Sequence, residues 1–449
     1  MLTEPMQNLV ILVVFVGVIA AIAFDVIDML LAALLGVCIL IVAGIFTHQD
    51  ILNVTRTADG SIALLFGGMV VARVLGPTGL FDYVGSRYLL ATRGSGKRFL
   101  LGLFILVAPL CAILPNATTV ILLAPIIIRV ARALEVDFVG PMVMTAIISN
   151  SAGLLSLVGD PATFLVGSSI GMTFNQYLQK VSLGGLLSVL VLVPLMPWLL
   201  KDLWQVERAL PADYKAEPLK QPFLCLLALL ILVLMVLLFL FGDLLPTKIV
   251  PPAVAIIAAA LALLLVYSAK VESVTKVLQD LDWRTILFII CLFFLVEAFT
   301  KTGLLQNFSQ NLYTWFGTDL VLVILVLLAV VGFASSLLAN IPVVAVMVLM
   351  VKGYLVTAEL VPEQALAAMF VDWPPNLLPV FVTMMFAGTL GGNATLIGAS
   401  ANVVSVGICA SHGKPVSFVT FMRYGAPLTI CQLAVSAAYV LGLLYAGGR

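Results

Sequence analysis

Charge is scarce in this chain. Only 10% of its residues are Asp, Glu, Lys or Arg, and 22 basic residues balance 22 acidic ones. No basic surplus exists for a nucleic acid or other polyanion to engage, and so few charges could not clothe a soluble protein of 449 residues. Histidine is rarer still, with only His48 and His412, both in expected loops. The cysteines (Cys38, Cys111, Cys225, Cys291, Cys409, Cys431) stand apart, with no CxxC pair and no histidine at ligand spacing, so they read as small hydrophobes rather than zinc ligands or disulfides. A phosphate-cradling Walker loop and a Ser-His-Asp set are also missing. The expectation is therefore no enzyme and no cofactor other than a sodium ion, with energy drawn from a gradient or a separate subunit.

What the chain has in abundance is apolar sequence. The hydrophobic set makes up 63% of it and mean hydropathy is +1.21, values of a multi-pass membrane protein whose first partner is the lipid bilayer. The start lacks the basic region of a signal peptide, so its first apolar run is expected to stay as a membrane helix. Crossings are expected at 8–24, 27–46, 61–75 and 183–203, then at 223–241, 249–267, 285–299 and 421–445. Amphipathic stretches at 76–98 and 303–315 should lie along the interface. The charged segment 201–221 is the one long connector, which divides the chain into 1–204, a cytoplasmic linker at 205–221, and 222–449.

Four interruptions organise these runs. The stretch 110–120 (LCAILPNATTV) returns 224 positions later as 334–344 (ASSLLANIPVV), each a knot of Asn, Pro and small residues between short apolar arms. Asn116 and Asn340 are read as the tips of two re-entrant hairpins. Two further spans break at 159–163 (GDPAT) and 391–402 (GGNATLIGASAN). Thr78-Gly79-Leu80 matches Thr302-Gly303-Leu304 at the same 224 offset, and Leu157–Gly159 matches Leu396–Gly398 at 239. Irregular backbone at membrane depth survives only where protein or a cavity satisfies it, so paired tips and breaks mark a solute site.

The expected fold is an all-α membrane protein with five transmembrane helices plus one re-entrant hairpin per half. An odd number of crossings per half turns the second copy upside down, an inverted repeat. Fifteen basic residues, among them Arg87, Arg132 and Lys276, then fall on one side and six on the other. The richer side faces the cytoplasm and both termini face outward.

The tips and breaks collect Asn116, Thr118, Thr119, Asp160 and Thr163 from the first half, and Asn340, Asn393, Thr395, Ser400 and Asn402 from the second. Asn150, Ser151, Ser156, Ser335 and Ser336 lie nearby. These hard oxygen and amide groups suit an alkali cation or an oxyanion, with Gly159, Gly392 and Gly398 offering freed carbonyls. Helix starts after Pro161 and Ser400 would favour an anion. The bland reading of the same residues is glue between helices, common in membranes. Asp160 is the one carboxylate at an expected midmembrane break, so a sodium or proton site is placed near Asn116 and Asp160; an ordinary helix cap is the competing explanation. Arg73 and Glu297 correspond at offset 224 and are expected to snorkel to opposite interfaces.

On NATTVILLAP (116–125), VGDPATFLVG (158–167) and GGNATLIGASANVV (391–404), the chain resembles the ion-transporter superfamily. The likeness is nearest the branch of melanosomal P-protein-type permeases, with arsenite, silicic-acid and sodium/proton antiporters beside it and dicarboxylate/sodium symporters further away. The resemblance implies a homodimer in a bacterial inner membrane, in which a transport domain of hairpins and broken helices slides as an elevator against a scaffold domain. It also implies substrate and ions at Asn116, Thr118, Asp160, Asn340, Asn393 and Asn402. One departure matters: the P-protein-like pattern has Asp before each tip asparagine, where this chain has Pro115 and Ala339. The expected function is secondary transport of a small inorganic or organic anion, coupled to sodium or protons. The alternatives are cation/proton antiport, arsenite or silicic-acid efflux, and a passive channel.

Overall fold

In a computed structural model the chain is helical, and the described residues contain a single isolated strand-like bridge, Ser95 with Glu207. The structure describes residues 4–447 except 24–25, 113, 158, 209–217, 243–244, 248, 302–303, 339 and 367–369. The middle of the expected linker, Val158 and Thr302-Gly303 of the repeated motifs, and Ala339 beside the second tip therefore lie outside the described residues.

The first half runs α1 (Glu4–Ala23), α2 (Met29–Val42), α3 (His48–Leu75), α4 (Leu80–Thr92), α5 (Gly96–Cys111), α6 (Asn116–Ala133), α7 (Val139–Ala152), α8 (Pro161–Ser169) and α9 (Phe174–Leu199). The second runs α10 (Pro222–Phe241), α11 (Pro251–Ala269), α12 (Trp283–Thr300), α13 (Leu304–Phe316), α14 (Leu320–Leu337), α15 (Asn340–Thr357), α16 (Leu378–Gly391), α17 (Ser400–Ser411) and α18 (Phe418–Gly447). Eight helices among the described residues are long and apolar enough to cross a membrane, or nine if the bent pair α3–α4 is one span. Local chemistry sets their starts. Asp28 accepts from Leu30 N–H at 2.9 Å to cap α2, Thr47 and Asp50 form a capping box on α3, and prolines open α10 and α11. Gly79, at φ 77°, supplies the left-handed residue that lets the chain turn 69° from α3 into α4.

Helices recur in register. α4 and α13, and α6 and α15, have equal lengths and boundaries offset by 224; α7 and α16 match at 239. Even the left-handed residues after the hairpin return arms, Glu135 (φ 54°) and Glu359 (φ 55°), keep the 224 spacing. Two spans differ from expectation. The third, expected at 61–75 with room for extension on its N-terminal side, begins at His48, because the capping box allows the helix to include polar turns before its apolar run. The fifth begins at Phe174, where a π-helical turn at Leu178–Ser182 wraps the first break: Tyr177 and Ser182 hydroxyls donate to the Leu154 and Leu155 carbonyls at 3.2 and 2.8 Å.

Two packing groups form. One joins α1, α2, α3, α10, α11 and α12; the other gathers both hairpins (α5–α6, α14–α15) and both broken helices (α7–α8, α16–α17) with α9 and α18. Within the second, α6 packs on α17 and α15 on α8, so each hairpin clasps the other half's break. Burial follows this plan: 56% of the apolar window of α6 and of α15 is buried against 17% for α1, whose surface is left for lipid. A small apolar crevice between the groups is lined by Leu65, Phe164, Leu165, Ile289, Phe293 and Ile341, with Pro161.

Ion pairs at both ends of α3 tie it to the segments that flank α12. Asp50 meets Lys301, and Arg73 donates to Glu272 at 2.9 Å and Asp280 at 2.6 Å. Arg73 is thus fixed by two carboxylates rather than snorkelling, which the 224 correspondence with Glu297 could not foretell. In the other group, Lys352 of α15 is 3% exposed, donates to the last carbonyl of α8 (Ser169, 2.5 Å) and lies 5.5 Å above the Trp373 ring.

Candidate functional site

Asp160 precedes Pro161 at the start of α8. Its extended backbone turns the side chain back to accept from the Thr163 N–H at 3.3 Å, while the Thr163 hydroxyl donates to the Asp160 carbonyl at 2.8 Å. The carboxylate is 2% exposed, and side chains reach it from three other elements. Thr389 Oγ1 of α16 donates at 3.0 Å and Asn116 Nδ2 of α6 at 3.4 Å, and the Asn340 side chain of α15 lies beside the acid without a hydrogen bond of normal geometry. Both hairpin tips and both broken helices therefore meet on one acid. All these donors are neutral, so the carboxylate is solvated by the protein and its charge is unopposed.

An orphan acceptor stands beside it. Asn116 is 7% exposed, its carbonyl accepts from Ser149 Oγ at 3.0 Å, and its Oδ1 has no hydrogen-bond partner among the described residues. The buried Thr119 hydroxyl lies near the Cys111 thiol without a hydrogen bond of normal geometry. Thr118 is half-buried one residue before. A Cβ at Gly153 would lie 3.2 Å from Asn116 Oδ1, so glycine lets the end of α7 approach the tip. Buried polar groups are satisfied in the great majority of proteins, and an unpaired oxygen next to a buried carboxylate asks for a cation or a proton.

The second break is different in kind. Asn150 Nδ2 donates to both Asn393 Oδ1 (3.0 Å) and Asn402 Oδ1 (2.9 Å). Asn393 Nδ2 donates onward to Ser151 and Gln432, at 3.0 and 2.9 Å, and Asn402 Nδ2 to the Gly392 and Thr395 carbonyls, each at 2.8 Å. Gln432 of α18 completes the set by donating to Ser151 Oγ at 2.7 Å and the Ser188 carbonyl at 2.8 Å. Every amide hydrogen of these four side chains is used, and Asn393, Asn402 and Gln432 are fully buried. Such a complete network locks helices together.

Under the two offsets several contacts of the two breaks correspond. Ser156 donates to the Ala112 carbonyl and Thr395 to the Ser336 carbonyl. Cys111 meets Ser149 at 2.9 Å, and at the corresponding places Ser335 donates to the Gly388 carbonyl at 2.5 Å. Cβ atoms on Gly159 and Gly398 would lie 2.7 Å from the Gly153 and 2.5 Å from the Gly392 carbonyl oxygens. Equivalence stops at the helix starts: Asp160 caps α8, whereas its counterpart Ala399 leaves the first turn of α17 without a side-chain cap, and Ser400 there is exposed. The anion-favouring end is accordingly α17; the amides of α8 are turned to Asp160.

The structure thus brings Asn116, Asp160, Thr163 and Asn340 together, and sets Asn393, Thr395 and Asn402 into the neighbouring lock. Sequence reasoning passed over Thr389 and Gln432. Gln432 carried a usable signal, a lone amide within a long apolar run, and Thr389 corresponds to Asn150 at offset 239.

Among known proteins, the chain is 39% identical over 433 residues to a protein of Synechocystis sp. named as an uncharacterized transporter, an alignment covering 96% of each. It is 29% identical over 440 residues to the 46 kDa membrane protein of Mycobacterium leprae, covering 97% of this chain and 98% of that one. The human P protein is 26% identical over 512 aligned positions, which span 95% of this chain and 59% of the human one. Residues 19–371 match the family model described as citrate transporter (CitMHS). The chain is a multi-pass membrane protein that belongs to the citrate transporter family.

Proposed function

We propose that the protein is a secondary transporter that moves a small carboxylate or similar anion across the membrane, driven by sodium or protons. The observation that carries this is the meeting of α6, α8 and α16 on Asp160, with Asn340 of α15 close by and Asn116 Oδ1 left without a hydrogen-bond partner among the described residues. A carboxylate with only neutral donors and an adjacent orphan oxygen is a cation site; a bound sodium ion or a proton would satisfy both groups at once. The cargo belongs on the other side of the same junction. The uncapped first turn of α17, with the exposed Ser400 and the half-buried Thr118 and Asn340, presents N–H and hydroxyl donors suited to an anion. The family's name points to a carboxylate as cargo.

The helix-by-helix correspondence supports an inverted repeat, since five crossings and one hairpin per half reverse the second copy. The two packing groups supply the parts of an elevator. α1–α3 with α10–α12, braced by ion pairs at both ends of α3, make the scaffold, and the hairpins and broken helices make the moving body. The crevice between them is apolar, and Asn175 Nδ2 of α9 donates to the Leu240 carbonyl of α10 at 3.2 Å across the two groups. A homodimer in a bacterial inner membrane with both termini outside completes the reading.

Proteoliposomes loaded with citrate or smaller carboxylates, under imposed sodium and pH gradients, test it. Uptake should follow one of the gradients, and Asp160→Asn should remove that dependence. Transport of no anion under either gradient would refute the proposal.

A further inference from the structure

Charge is concentrated where α4 turns into α5. Arg93, Lys97 and Arg98 are exposed there, and the chain packs this corner against the segment 201–208 that follows α9. Ser95 bridges Glu207, the Gly96 N–H donates to the Val206 carbonyl and the Arg208 N–H to the Gly94 carbonyl, each at 2.9 Å, and Lys97 Nζ lies 5.6 Å above the Trp204 ring. With Lys201 and Arg208, both exposed, five cations stand against two acids, Asp202 and Glu207, in a chain whose net charge is zero. Among the described residues Arg208 meets Glu135 at 3.8 Å, while Arg93, Lys97, Arg98 and Lys201 meet no carboxylate. Ser95 gives α5 no side-chain cap, which leaves first-turn N–H groups to an anion as well. The second half keeps the turn and drops the charge: at offset 224 Arg93 (φ 47°) becomes Gly317 (φ 56°), and Lys97 and Arg98 become Val321 and Leu322. The first half thus holds an arginine in a backbone conformation that glycine adopts without strain.

We infer that this corner binds the phosphate head group of an anionic phospholipid. Apolar faces run into the membrane from the charges on both helices. Lys97, Leu101 and Ile105 share one face of α5 at four-residue spacing, and Ile105 is 80% exposed. On α9, Leu190, Pro194 and Trp198 do the same ahead of Lys201, and Trp198 is 68% exposed. Acyl chains lie along these stripes while the cations at their ends meet the phosphate, and Trp204 beneath Lys97 sits at the head-group level where tryptophan is favoured. A free phosphate ion would engage the charges and leave the stripes without a part. The bound lipid fastens the junction of the interfacial helix α4 and the first hairpin to the membrane surface.

The test is the melting temperature of the intact protein in a neutral detergent, titrated with phosphatidylglycerol, with phosphatidylcholine, or with glycerol phosphate as the free head group. Phosphatidylglycerol should stabilise the protein saturably and the other two should not. A basic residue near an anionic surface is worth roughly fivefold in affinity, so Lys97→Gln combined with Arg98→Gln should raise the phosphatidylglycerol midpoint roughly 25-fold. Arg93→Gly, which installs the second half's own residue at this turn, should raise it roughly fivefold and decides the matter alone if the double variant does not fold. Lys270→Gln, at an exposed lysine after α11, should leave the midpoint unchanged. Corner variants with the wild-type midpoint, or a Lys270→Gln shift as large as theirs, overturn the site in favour of general surface attraction. Equal stabilisation by phosphatidylcholine or by glycerol phosphate overturns the assignment to an anionic lipid.

Discussion

Adding one methyl group at Gly159 or at Gly398 should damage both halves of the protein in the same way. A Cβ on Gly159 would lie 2.7 Å from the Gly153 carbonyl oxygen and 2.8 Å from that of Cys111; on Gly398 it would lie 2.5 Å from the Gly392 carbonyl oxygen. Carbon and carbonyl oxygen settle at about 3.3 Å or more, so backbone must move by roughly 0.5–0.8 Å in each case. The obstacles are main chain, which cannot rotate out of the way. Overpacking of this kind costs about 1–3 kcal/mol. Gly407, exposed on α17 with nothing within 4 Å of its would-be Cβ, provides the control, where alanine should gain up to about 1 kcal/mol of helix propensity. Thermal unfolding of the three variants in nanodiscs should place Gly159→Ala and Gly398→Ala well below the wild type, with Gly407→Ala at or above it. Gly159→Ala should also slow transport, since Asp160 is the next residue. Equal melting temperatures for all three would refute the argument that close backbone approach at the breaks holds the fold.

Three further outcomes are expected. Glu272, between α11 and the short helix Val274–Gln279, has its carboxyl held below its ordinary pKa: partial burial raises it, but bonds from Lys276 and Arg73 outweigh burial. Because the folded value is depressed, its stabilisation is present above the ordinary 4.5 and is lost as pH falls through the folded value; Glu272→Gln should flatten that acid limb in melts taken against pH. Gln432→Leu strips partners from Ser151, Asn393 and the Ser188 carbonyl and should cost roughly 1–3 kcal/mol for each group left unpaired, read as a lower melting temperature. Ser400→Ala should raise the KM for anion uptake without moving the melting temperature, since the side chain is exposed and caps nothing.

The tips and breaks were legible because each needs residues that ordinary spans avoid, Asn beside Pro or paired glycines, and because the same letters recur at 224 and 239. α6 and α15 begin at the expected asparagines. Partner choice was not legible. Asn116, Asn393 and Asn402 are one residue type in similar surroundings, but whether an amide is left with an open oxygen depends on Asn150, 243 and 252 positions from its two acceptors. The same holds for Arg73, whose carboxylates lie 199 and 207 positions away. Hydropathy reports that a helix is in lipid; it carries no information on which neighbour it meets. The early start of α9 escaped for a related reason, as the π-turn answers to carbonyls of the first break and has no signature of its own.

Lys352 has one more bearing. Its amine is held by a helix-end carbonyl and an aromatic face, so when protonated it adds a charge to α15 that no carboxylate among the described residues cancels. Membrane voltage acts on such a charge with about 2.3 kcal/mol per 100 mV for a complete traverse. Any movement of α15 along the membrane normal is therefore electrically visible, and rapid voltage steps on the protein without cargo should evoke a transient capacitive current that Lys352→Met diminishes.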